Sequence, residues 1–190
     1  GTLKFTDAAE TMNDSRRSLV AEAFGDAAYS VIDYYSDSEI HLDYISDYEA
    51  DDLLANFECT RDTVSSLILM DGEKSRFGTA IVATEDCLNA LGAASYPQDW
   101  IGELANMVIG ALKNKLLEKG LKLQSGLPRT SKGLRRDYVT QVDEMDALVV
   151  DTDSGPVLIV LHLALNDDFE WNEQKYEAPK ASGQFMLFGA

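Results

Sequence analysis

Glu103 and Asn106 stand three residues apart in the stretch Asp99-Trp-Ile-Gly-Glu-Leu-Ala-Asn-Met-Val-Ile-Gly110, and their types and spacing suit a surface that touches another molecule. At helical spacing Asp99, Glu103, Asn106, Gly110 and Lys113 share one side, while Ile101, Leu104, Ala105, Val108, Ala111 and Leu112 share the other. The apolar side is ordinary core patterning. The polar side is unusual, because Gly inside a helix costs about 1 kcal/mol relative to Ala, and Asn somewhat less. A merely solvated face is more stably built from Glu, Lys, Gln or Ala. The stripe therefore reads as a contact surface with one carboxylate, one amide and a small residue that admits close approach.

The elements that position this stripe belong to a chain of 190 residues, 45% hydrophobic and 26% charged, with four prolines. That is enough to bury a core in one large domain or two small ones. A formal charge of −17 argues against nucleic acid or an anionic membrane as a partner held by bulk electrostatics. The longest apolar run, near 156–165, is strand-sized and holds His162, so no membrane insertion is expected. No charged-then-apolar leader opens the sequence, and the expected location is the cytoplasm. Cys59 and Cys87 lie in unrelated contexts and are expected to be buried free thiols.

The motif helix has a second copy. Ser18 to Ala28 superimposes on Asp99 to Ile109 at an offset of 81: Ser18 meets Asp99, Glu22 meets Glu103, and Gly25 meets Asn106. The same offset carries Leu67-Ile-Leu, Met70-Asp-Gly-Glu-Lys-Ser and the apolar stretch 77–82 onto Leu148-Val-Val, Asp151-Thr-Asp-Ser-Gly-Pro156 and 158–163. Each block reads as strand, tight turn, strand. Two features at one period imply a duplication. The expected architecture is one α+β domain over 1–190, made of two α-β-β halves, about 14–95 and 96–190. Two long helices pack on an antiparallel sheet. Further elements are expected as a short helix near 85–92, strands at 121–124 and near 138–142, and a last strand at 184–188.

Asp99-x3-Glu103-x2-Asn106, followed after 21 residues by Pro128 in Gly126-Leu-Pro128, resembles the signature of the CheC, CheX and FliY chemotaxis phosphatases. The wording Glu-Leu-Ala-Asn-Met before Gly110 is similar to the CheX branch, as is the Cys87-Leu-Asn-Ala-Leu91 helix that precedes it. The similarity covers about residues 64–133. It implies a CheC-like fold with its helices related by a pseudo-twofold axis, and hydrolysis of the aspartyl phosphate of a CheY-type response regulator. By position, Asn106 would hold the attacking water and Glu103 would pair with the regulator's lysine, with Asp99, Trp100 and Gly110 touching the partner. The Mg²⁺ would belong to the regulator, and this chain would need no cofactor of its own. Relatives pair through sheet edges, which implies a homodimer. An aspartyl phosphate is already activated, so its hydrolysis needs mainly positioning and electrostatics. An amide both donates and accepts, and it orients water without titrating.

Three departures qualify the resemblance. The first-half copy keeps Ser18 and Glu22 but has Gly25 in place of the amide, so it is expected to be a degenerate, silent site. Arg129-Thr-Ser-Lys132 after the proline is unusually polar, and the acidic, tyrosine-rich stretch 33–52 reads as an elaboration. The alternative reading is a non-catalytic interaction domain, comparable with flagellar switch proteins that keep the scaffold without the active pair. Asp99 also suits a helix N-cap after Pro97, Trp100 suits core packing, and His162 suits a satisfied core histidine. His41 has no companion at ligand spacing, and the carboxylates from Asp43 to Asp52 lack EF-hand order.

Overall fold

The computed structural model describes residues 6–93, 96–139, 145–166, 168–169 and 171, with side chains from residue 17 onward except at 145. The first half contributes α1 (Thr6–Tyr35), β1 (His41–Ile45), α2 (Asp47–Cys59), β2 (Thr63–Gly72), β3 (Ser75–Thr84) and α3 (Glu85–Ala90). The second contributes α4 (Pro97–Leu117), β4 (Gln124–Ser125), β5 (Arg129–Lys132), α5 (Arg136–Val139), β6 (Met145–Thr152) and β7 (Gly155–Leu165). The strands form one antiparallel sheet in the order β1-β6-β7-β3-β2-β4, with β5 continuing from β4 along the outer side of β2.

This order is a palindrome. Exchanging β1 with β4 and β5, β2 with β6, and β3 with β7 reverses the sheet and leaves it unchanged, with the pseudo-twofold axis passing between β3 and β7. The helices obey the offset of 81, since Val20, Phe24, Ala27 and Ala28 are buried like Ile101, Ala105, Val108 and Ile109. The hairpins do not. Gly72 pairs with Ser75 around Glu73-Lys74, and Thr152 pairs with Gly155 around Asp153-Ser154, which is an offset of 80. The reason is the two-residue side-chain period of a strand: a slip of one residue turns every inward side chain outward. At 81, Leu67 would match Leu148, but the two lie on opposite faces of the sheet. At 80, Leu67 matches Ala147 and Ile68 matches Leu148, each pair within one core.

One face of the sheet packs Ile68, Met70, Phe77, Ile81, Leu148 and Leu161 against α1 and α4. The other packs Leu67, Ala80, Val82, Leu158 and Val160 against Ala50, Leu54 and Phe57 of α2 and Tyr138 and Val139 of α5. Helices α1 and α4 run antiparallel. Tyr35 meets Trp100 edge-on at 5.0 Å and its hydroxyl donates to Met107 Sδ at 3.3 Å, while Asp26 faces Lys115 at 3.7 Å near the other end. Arg17 ties α1 to β6 through a two-point pair with Asp146, at 3.1 and 3.3 Å. Among the described residues no helix is long and apolar enough to cross a membrane.

Several sequence expectations change. The acidic stretch is built structure: it holds β1 and the start of α2, which is set by a capping box in which Ser46 and Glu49 each bond the other's backbone N–H. The strand expected at 121–124 is confined to Gln124–Ser125, and Arg129-Thr-Ser-Lys132 forms β5. Tyr138 and Val139, expected in a strand, close a helical turn instead, because both bury against the α2 face. The strand expected at 184–188 lies outside the described residues.

Both cysteines are free, but only Cys87 is buried; Cys59 is exposed at the end of α2. Burial pushes the Cys87 thiol up, and a hydrogen bond with Thr152 at 3.5 Å pulls weakly the other way. A maleimide is therefore expected to label Cys59 in the native protein and Cys87 only after denaturation, as peptide mass spectrometry would read. Equal labelling of the two in native buffer contradicts the burial.

Candidate functional site

Helix α4 begins with Pro97 in its first turn, where a missing N–H costs nothing. The N-cap is Tyr96, without a side-chain cap, so Asp99 is not the cap that the sequence suggested. It lies in the first turn, exposed, where a carboxylate complements the positive end of the helix dipole. Glu103 and Asn106 follow on the same exposed side. Neither side chain bonds to another described residue, so carboxylate and amide face solvent with their hydrogen-bonding capacity unused. A Cβ on Gly110 would meet nothing within 4 Å, so the fold itself makes no demand for a small residue there.

Gly102 has the opposite character. A Cβ there would approach Thr130 Cγ2 at 3.1 Å and Pro128 at 3.6 Å. Its absence lets α4 lie close on the edge strand β5, and the seam runs one turn from Asn106. Pro128 falls in the break between β4 and β5, where a residue without an N–H interrupts the ladder without leaving a donor unpaired. Beside it Leu127 is 87% exposed. On the other flank Trp100 is half-buried, with its indole N–H donating to Leu91 O at 3.0 Å. Its polar edge is thus committed within the fold. The stripe is therefore a shallow acidic ridge between Trp100 and Met107 on one side and Leu127 and Pro128 on the other.

The first-half copy is arranged differently. Ser18 and Glu22 are exposed as Asp99 and Glu103 are, but Gly25 is buried whereas Asn106 is not. Tyr44 of β1 covers it. The Tyr44 hydroxyl donates to Ala21 O, and a Cβ on Gly25 would overlap that hydroxyl. Burial raises the pKa of Tyr44, and Asp146, Asp26 and Glu22 add to the rise, so the hydroxyl stays protonated and keeps donating. The copy thus lacks more than an amide: an aromatic side chain from the edge strand stands where the amide would project. An open groove of about 770 Å³ remains there, bordered by Ser18, Glu22, Tyr29, His41 and Tyr44. Sequence spacing matched Gly25 to Asn106 but carried no sign of Tyr44, which reaches Ala21 from another element.

His162 lies apart from both copies, buried in β7 with Nε2 at 3.0 Å from Tyr138 O. The carbonyl can only accept, so Nε2 carries the proton. Burial lowers its pKa from 6.5, against a smaller opposing effect of that hydrogen bond. The native state thus binds fewer protons than the unfolded chain as pH falls through 6.5, and stability present above that pH is lost below it. The urea midpoint of the wild type is expected to fall between pH 7.5 and 5.5, and to fall less in His162→Gln. Parallel profiles in the two proteins would contradict the assignment. Among the described residues no three His, Cys, Asp or Glu side chains gather to hold a metal ion.

No family model matches the chain, and no curated protein does. Solved structures do. A CheC-like superfamily protein from Shewanella sp. PV-4 superimposes with a TM-score of 0.59 at 20% identity, over 77% of this chain and 97% of that one. The chemotaxis protein CheX from Vibrio vulnificus gives 0.56 at 22% identity, over 75% and 97%. A chain of the CheX-CheY-BeF3-Mg²⁺ complex from Borrelia burgdorferi gives 0.55 at 15% identity, over 75% and 96%. With the palindromic sheet and its paired helices, these similarities establish that the chain has the CheC-like fold.

Proposed function

We propose that α4 docks a phosphorylated CheY-type response regulator and that the chain hydrolyses its aspartyl phosphate. The observation that carries this reading is the Glu103–Asn106 pair, exposed and unpartnered on a helix whose opposite side is fully buried. The likeness to a chain found in a complex with CheY, BeF3 and Mg²⁺ supports it. Asn106 accepts from a water and donates toward a phosphoryl oxygen, holding the water in line with phosphorus. The new P–O bond forms as the bond to the aspartate oxygen breaks, and the carboxylate leaves with the bonding pair while the water's proton goes to phosphate or solvent. Glu103 pairs with the regulator's lysine and fixes register. The Mg²⁺ that neutralises the phosphoryl group is the regulator's own.

The test mixes the chain with phosphorylated CheY-type regulators of the same cell and follows phosphate lifetime. Shortened lifetime supports the reading. Tight binding of a regulator with unchanged lifetime would instead favour a non-catalytic interaction domain.

A further inference from the structure

The two long helices meet the two edges of the sheet differently. Helix α4 lies close on β5 because Gly102 has no side chain; a Cβ there would come within 3.1 Å of Thr130. At the position 81 residues earlier α1 carries Ala21, and β1 reaches that turn through the hydroxyl of Tyr44. The space left between α1 and β1 is the open groove of about 770 Å³. Its charge is of one sign. Glu22 and Asp26 border it from α1 and Glu39 from the approach to β1, and all three are exposed. No Lys or Arg lines it, and none occurs between residues 18 and 60. Lys115 approaches Asp26 at 3.7 Å, whereas among the described residues no ion pair engages Glu22 or Glu39. Nor do these carboxylates gather closely enough to hold a metal ion, so a larger cationic group suits them better. The exposed rings of Tyr29 and Tyr44 stand beside them. β1 ends the sheet, and among the described residues its outer edge has no partner strand.

We propose that this groove docks an extended basic segment of a partner protein, paired along β1, with Arg or Lys side chains entering between α1 and the sheet edge. It is a second interaction surface, separate from the α4 stripe, and it does not rest on the phosphatase reading. Each property of the ligand answers one of the groove. The free edge offers the backbone groups that an added strand needs. Alternate residues of such a strand point the same way, so cations two residues apart enter the groove together. There the carboxylates pair with them, and the tyrosine rings offer faces for a guanidinium. The same acidic lining repels nucleic acid and anionic lipid, which leaves a cationic protein segment. The half without the amide thereby has a binding role of its own.

The experiment titrates the full chain into a fluorescein-labelled peptide of alternating Arg and Thr, about ten residues long to span one strand, and reads anisotropy. A second peptide is N-methylated at every other residue, which keeps its charge but removes the N–H groups that pair along an edge. The proteins are wild type, Glu22→Gln/Glu39→Gln, and Asp62→Asn/Glu73→Gln, which removes two exposed carboxylates that do not line the groove. Wild type is expected to bind the first peptide. Glu22→Gln/Glu39→Gln is expected to weaken that binding about tenfold, the combined effect of two exposed ion pairs at most. N-methylation is expected to weaken it at least as much, and the control variant is expected to bind as wild type does. Equal losses in both variants would mean bulk attraction to an acidic protein and overturn the groove. Equal binding of the methylated peptide would mean that β1 takes no added strand, which overturns the proposal, as does failure of wild type to bind. If sedimentation shows a self-association that Glu22→Gln/Glu39→Gln abolishes, the groove belongs to a second copy and the proposal is again overturned.

Discussion

Asn106→Ala is expected to slow hydrolysis of the regulator's phosphate by about 10²-fold or more, the usual cost of losing one group that positions a reacting species. The same change is expected to leave the melting temperature unchanged or slightly raised. Asn106 is exposed and bonds to no described residue, and Ala is a better helix former by about 0.6 kcal/mol. Lost activity with intact stability is the pattern that separates a functional side chain from a structural one. Single-turnover phosphate release and calorimetry on the same preparations measure both. If the phosphate lives equally long with wild type and variant, the amide has no catalytic part.

Phe24→Ala is expected to have the largest effect on stability, about 3–5 kcal/mol. Phe24 is fully buried in α1, within the core that α1 and α4 share over the sheet. Truncation removes a ring from close-packed surroundings that relax only in part. Against a total stability of about 5–15 kcal/mol, this is a large fraction. The expected fall in melting temperature is about 10 °C, given some 2–4 °C per kcal/mol for a chain of this size. A fall below about 3 °C would mean that α1 is not held as described. Because Phe24 lies in the half without the amide, such a loss would also show that the two halves support each other through a shared core.

The helices were legible from the sequence because α1 and α4 bury residues at i, i+3 and i+4, and the hairpins because two-residue turns separate apolar runs. Helix α2 was not, because Ala50, Leu54 and Phe57 keep helical spacing inside a run of carboxylates whose charge dominates the composition. The Ser46-x-x-Glu49 capping box was the available signal. The one-residue slip between hairpin and helix periods was invisible to pattern matching, since apolar runs buried on both faces look alike in either register. The stripe from Asp99 to Gly110 could be read because one helix carries all of it. Of its walls, Pro128 could be read from its spacing after Asn106, but Thr130 could not, because it comes from a separate edge strand, and Gly102 looked like any helical glycine until β5 was laid against it.

The palindromic sheet has a consequence for how the molecule folds. β1 from the first half completes the side built by β6 and β7, while β4 and β5 from the second complete the side built by β2 and β3. The seam between the halves is the β3–β7 ladder at the centre. Each half has given away an outer strand and received one. Neither can assemble its own sheet before the other is present, so folding waits on pairings far apart in the chain, and the two halves are gained or lost together.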